Sequence, residues 1–197
     1  IKLNSHNTII ITENKKSSLF NFAKKIKIPV IMHKEYISGR YSVLSDVGMV
    51  PAELMGLEIK NFRKNLRDHF KIKSKKKLLI DSSVKISQIY LNNKIKSMIF
   101  LNYCPQLNNF LLWCQQLIAE SLGKNNRGLI PVISPAPQDH HSLLQLYLDG
   151  PRDKIFYFFS SKSLYNYKIK NTKLDKNIGF INNKKIEKIV LSQKKSL

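Results

Sequence analysis

Five short apolar runs, at residues 8–12, 29–32, 97–101, 129–134 and 154–160, constrain the fold of this chain more than any other feature. Each is rich in β-branched or aromatic residues and is bounded by polar or turn-forming ones, which reads as a strand. Between them lie stretches in which apolar residues recur at three and four, the spacing of a helix that buries one face. Strands alternating with helices in this way predict an α/β fold with mainly parallel sheets covered by helices. The spacing of the runs predicts two doubly wound domains, at 1–72 and 96–197, joined by a connecting segment at 73–95.

Within the first unit, Leu19, Phe20, Phe22 and Ala23 are expected to lay a helix on the sheet. Ser45-Asp46 forms an N-cap pair for a helix containing Val47, Pro51, Leu54 and Met55, with Pro51 near its start. From Leu57 to about Lys77 the chain is basic, with Phe62, Leu66 and Phe70 spaced by four, and reads as one surface helix ending in a charge run that marks a boundary. In the second unit Pro105 opens a helix whose buried stripe is Phe110, Trp113, Cys114, Leu117 and Ile118, and Gly123 stops it. Residues 139–148 are expected to form a helix. Beyond Lys162 the chain is polar, with Ile178, Phe180 and Ile181 as packing cues and few clear elements.

At 197 residues and 43% hydrophobic content, the chain has enough apolar side chain for a core and is not of disordered composition. Its net charge of +21 would ordinarily suggest a nucleic-acid or anionic-membrane partner. Only Arg40, Arg63, Arg67, Arg127 and Arg152 among its 34 basic residues are arginine, and lysine, asparagine and isoleucine are abundant together. Solvated lysine faces explain that bias, so neither nucleic acid nor membrane is expected as a partner. No apolar run approaches the ~18 residues that cross a bilayer, and no signal-peptide pattern is present at the start, so a cytoplasmic location is expected. A buried strand so soon after Ile1 suggests a chain that begins inside a domain, and hence a fragment. Cys104 and Cys114 are too few for a disulfide framework, and the five histidines make no metal-ligand spacing, so neither metal nor cofactor is expected.

Three short segments carry chemistry. Gln116 and Glu120 are four apart, on one face of the helix that Gly123 ends. Taken alone, Glu120 is an ordinary solvated glutamate in a last turn. Arg40 follows Gly39, which permits close backbone approach, and its guanidinium stays charged at any working pH. His141 is a group able to titrate near neutrality, at about pKa 6.5 unperturbed. It lies in Asp139-His140-His141-Ser142, where either histidine could be merely structural.

These segments, in this order, resemble the glucose-6-phosphate isomerase family. Gln116 to Lys124 is similar to its Q-x-x-x-E-S-x-G-K pattern, Gly39 to Ser42 to its G-R-[FY]-S signature, and His141 to Gly150 to its H-x-x-x-Q-L-x-x-x-G. Ser38 stands where the family more often has glycine. The resemblance implies a fold of two sugar-isomerase (SIS-type) domains, both incomplete here, and interconversion of glucose 6-phosphate and fructose 6-phosphate through a cis-enediolate. Glu120 is then the base, Arg40 the cation that stabilises the enediolate, and His141 the ring-opening group. Gln116 and Gly39 contact substrate. In that family the histidine enters the neighbouring subunit's site, which implies a homodimer. The family's phosphate-binding S-K-T-x-T-T-like loop and its Q-x-G-V-E-x-x-K segment are not found in this sequence, so little or no activity is expected of the chain alone. A related phosphosugar isomerase, a non-catalytic sugar-phosphate binding module and a basic nucleic-acid-binding protein are the other readings.

Overall fold

The structure is a computed structural model and describes residues 2–92, 94–161, 167–170, 175 and 177–197. The chain divides into two compact units, residues 1–83 and 84–197.

The first unit opens with a parallel pair, β1 (Ile10–Glu13) and β2 (Val30–His33), in the register Ile10 to Val30 through Glu13 to His33. The crossover between them carries α1 (Ser18–Lys25). Its N-cap is Ser17, whose hydroxyl accepts from the Phe20 amide at 3.1 Å. Phe20 and Ala23 bury the inner face of α1, and Ala23 clusters with Ile10 and Ile28. A 3₁₀ segment, Gly39–Leu44, leads into α2 (Asp46–Leu54). Pro51 lies at the sixth residue of α2, not near its start as the sequence suggested, because the helix begins directly after Ser45. Without an N–H it gives the Val47 carbonyl no helical donor.

The single basic helix expected over 57–77 is instead α3 (Ile59–Arg63), α4 (Asp68–Lys71) and the first turn of α5 (Lys73–Leu91). The lysine run does not end a helix; it begins the longest one among the described residues. Lysine is a good helix former, and exposed ammonium groups need no partner. The division between the two units falls inside α5.

In the second unit β3 (Ser97–Asn102) is the middle strand of a parallel sheet in the order β4-β3-β5, with β4 at Ile130–Pro135 and β5 at Lys154–Phe159. Alternate residues of β3 serve opposite faces. Met98 and Phe100 pack with Leu111 and Leu129 under α6 (Asn108–Leu122) and the end of α5, where Ile86 and Tyr90 join them. Ile99, Leu101 and Tyr103 pack with Ala136 on the other face, joined by Tyr147 and Val190. Those two come from α8 (Leu144–Asp149) and α9 (Ile186–Lys195). Helices therefore cover both faces, as expected of a doubly wound sheet.

Gly123 ends α6, and a Cβ there would stand 2.5 Å from the Ala119 carbonyl oxygen. The helix expected over 139–148 is two, α7 (Gln138–Ser142) and α8, broken at Leu143 where φ reaches −123°. Helix α9 was not legible in the polar tail. Ile178 and Phe180, read from sequence as packing cues, are exposed beside the 3₁₀ turn Gly179–Ile181.

Candidate functional site

In the first unit Gly39 and Arg40 open the 3₁₀ segment that follows β2. Hydroxyl groups fold this segment on itself. Ser42 is buried and donates to the Gly39 carbonyl at 2.7 Å, and Ser45 donates to the Ser42 carbonyl at 2.6 Å. His33 Nε2 lies 2.9 Å from the Ile37 carbonyl, fixing the loop just before it. Beside Arg40 is a hollow of about 490 Å³ lined by Tyr36, Ile37, Ser38, Tyr41, Leu44 and Ser45. The Arg40 guanidinium is 5.9 Å from the centre of the Tyr41 ring. A Cβ on Gly39 would meet no described atom within 4 Å, so packing within the described residues does not require glycine there.

In the second unit Gln116 and Glu120 do face the same way. Gln116 Nε2 donates to Glu120 Oε1 at 2.8 Å, and both side chains are exposed. The amide thus holds one carboxylate oxygen in place on the last turn of α6. That turn lies at the amino edge of the sheet, since α6 leaves the carboxyl end of β3 and runs back along it. Gln115 donates to the Pro131 carbonyl at 2.9 Å and so is already level with the second residue of β4. Glu120 lies roughly 7 Å further along the helix. The cleft that parallel sheets form at their carboxyl ends is therefore not where this carboxylate lies.

His141 occupies the other edge. It sits on α7, which begins just after β4 ends. The Ala136 amide bonds the Asn102 carbonyl at 2.9 Å, tying the start of this turn to the end of β3. His141 is exposed, whereas its neighbour His140 is half-buried, with Nε2 2.7 Å from the Tyr103 hydroxyl. The length of a six-residue strand, roughly 17–20 Å, separates Glu120 from His141 within the unit. The structure brings Gln116 to Glu120 and does not bring His141 to either.

Sequence reasoning missed Tyr103 and Ser134. Ser134 is fully buried and donates to Asp139 Oδ2 at 2.7 Å, while Ser142 donates to Asp139 Oδ1 at 3.2 Å. Burial pushes the Tyr103 hydroxyl above its ordinary pKa, and burial does the same to the Cys114 thiol, in keeping with its place on the apolar stripe. Among the described residues no helix is long and apolar enough to cross a membrane.

A parallel sheet wound by helices on both faces, with a parallel strand pair in the preceding unit, makes this an α/β protein of the doubly wound kind. The glucose-6-phosphate isomerase of Methanocaldococcus jannaschii is 32% identical over 99% of this chain and 49% of its own length. The protein named probable glucose-6-phosphate isomerase from Methanococcus maripaludis is 36% identical over 67% of this chain and 31% of its own. A third, the glucose-6-phosphate isomerase of Mycoplasmopsis synoviae, is 33% identical over 77% of the chain. The chain belongs to the glucose-6-phosphate isomerase family. It spans about half the length of the relative matched over nearly the whole chain. No family model matches. Among solved structures, a hypothetical protein from Thermus thermophilus shares the fold, with a TM-score of 0.82 and 21% identity over 98% of this chain and 48% of that one.

Proposed function

We propose that the whole protein interconverts glucose 6-phosphate and fructose 6-phosphate, and that this chain carries its base, its cation and its ring-opening group on two SIS-type domains, both incomplete here. The observation that carries the reading is the family match across nearly the whole chain, joined to the 2.8 Å bond that orients Glu120 through Gln116.

The reaction moves one proton between adjacent carbons. In the open-chain aldose, Glu120 takes the proton from carbon 2, and the electron pair left behind forms the enediolate with the carbonyl at carbon 1. Returning the proton to carbon 1, as a hydroxyl proton passes from the oxygen on carbon 2 to the oxygen on carbon 1, gives the ketose. Arg40 stabilises the negative charge on oxygen between the two transfers, a task suited to a planar, cationic guanidinium. His141 exchanges protons at the ring oxygen to open the sugar first. Gln116 orients the carboxylate by donating to one of its oxygens. Gly39, with open space over its α-carbon, lets the sugar approach the backbone beside Arg40.

The positions of Glu120 and His141 at opposite edges of one sheet support a homodimer in which each active site takes its histidine from the second copy. An exposed His141 fits that role. The family's phosphate-binding loop has no match in this sequence, so the chain alone is expected to turn over little substrate. Binding energy from the phosphate positions the sugar, and its loss lowers turnover as well as affinity. A cytoplasmic place in sugar metabolism is part of the same proposal.

The test is conversion of fructose 6-phosphate by the gene's full-length product, beside Glu120→Gln in the same background. Loss of at least 10²–10⁴-fold in the variant is the expected result for removal of a general base. A wild type that binds fructose 6-phosphate without converting it would make this a sugar-phosphate binding protein instead.

A further inference from the structure

We infer that Tyr103 and Ser134 are positioning residues for His141: rooted in the sheet, they grip the two residues before it and fix where α7 presents its imidazole. The inference rests on the isomerase reading above and adds to it two residues that no motif picks out.

Helix α7 has only five residues, too few to hold itself in water, so its geometry must come from what it is tied to. One tie is Tyr103. It is 6% exposed, its amide bonds the Phe159 carbonyl at 2.8 Å, and its ring stacks on Phe158 at 6.4 Å and 12°. From that fixed base its hydroxyl reaches His140 Nε2 at 2.7 Å, with the two rings edge to face at 5.6 Å. The second tie is Ser134, 0% exposed near the end of β4, which donates to Asp139 Oδ2. Asp139 passes the constraint on by accepting from Ser142 through its other oxygen. Residues 139, 140 and 142 are thus held by side-chain bonds, and His141 is held between them at the surface. A reacting group displaced by about 1 Å can lose up to 10²-fold in rate, so such ties matter to chemistry as well as to folding.

The experiment uses the full-length gene product. Tyr103→Phe keeps the ring packing and drops only the hydroxyl; Ser134→Ala drops the other tie. Each is expected to lower kcat on fructose 6-phosphate about 10-fold with KM changed less than about twofold, because what is lost is placement of a group rather than substrate contact. His140→Gln, which can still meet the Tyr103 hydroxyl, should keep a kcat near wild type, while His140→Leu should match Tyr103→Phe. In the 197-residue chain, the His141 ring proton resonance should shift or broaden in Tyr103→Phe and return in His140→Gln. Unchanged kcat in both Tyr103→Phe and Ser134→Ala, or a His140→Gln as slow as His140→Leu, would overturn the inference. A wild type with no turnover would refute the isomerase reading alone, and the His141 resonance would then decide whether the ties position that ring.

Discussion

The middle strand of the second unit and the strand pair of the first are built from similar residues yet differ in how much of them is buried. Residues 98–102 of β3 are all buried, flanked by β4 and β5 and covered on both faces. In β1 only Ile10 is buried, and in β2 none is, although Val-Ile-Met is as apolar as Met-Ile-Phe. What differs is the number of neighbours. A strand paired on one side has half its ladder open and a face that one short helix cannot cover. The consequence for function is that the two halves of the proposed chemistry rest on unequal supports. The Gln116–Glu120 pair and His141 belong to the unit with the layered core, and Arg40 to the unit whose buried cluster is the small one around Ala23.

The most disruptive way to sharpen this contrast is Phe100→Ala. Phe100 lies edge to face against Tyr157 at 6.0 Å and Phe159 at 5.5 Å, and its loss should destabilise the second unit by about 3–5 kcal/mol, read from chemical denaturation. A loss below about 1 kcal/mol would mean the β3 core is not what holds that unit. Next in size, amide hydrogen exchange should be slower in β3 than in β1 and β2 by at least about two orders of magnitude, as expected where buried apolar contacts are more numerous. Equal protection would erase the distinction between the units. The smallest effect concerns pH. Tyr103 and Tyr157 are both pushed above the ordinary tyrosine value by burial. Their folded-state pKa exceeds the unfolded one, so their contribution is fully present below about pH 10 and is lost as pH rises through the folded value. Stability should therefore fall above about pH 10, less steeply in Tyr103→Phe; an unchanged slope would contradict the burial of that hydroxyl.

The same contrast explains what could be read without coordinates. The β3 run was legible because a central strand is apolar at consecutive positions, here Met98 to Leu101. The β1 and β2 runs were legible too, but nothing in four residues tells how few neighbours a strand will have. Lys73 to Lys77 misled because a charge run looks like a break, whereas helix propensity and solvation favour its continuing as α5. Pro51 misled in the opposite sense, because proline is expected in a first turn and α2 tolerates it later. Gln116 and Glu120 could be paired from spacing alone, since four residues is one helical turn. The contact of Tyr103 with His140 spans 37 residues and joins the turn after β3 to α7 at one sheet edge, a meeting that strand order decides and local pattern does not. The return of α6 along the sheet put Glu120 and His141 at opposite edges, something adjacency of motifs in the sequence hides.

That separation gives the central claim its most direct test. Glu120→Gln and His141→Asn copies of the full-length product, each inactive alone, would be co-expressed with different tags and the mixed species purified. If each site joins Glu120 of one copy to His141 of the other, a hybrid holds one intact site of two. Random pairing would then restore about a quarter of wild-type turnover before purification, and about half in the pure hybrid. A hybrid as inactive as its parents would contradict a shared site and the roles assigned to both residues.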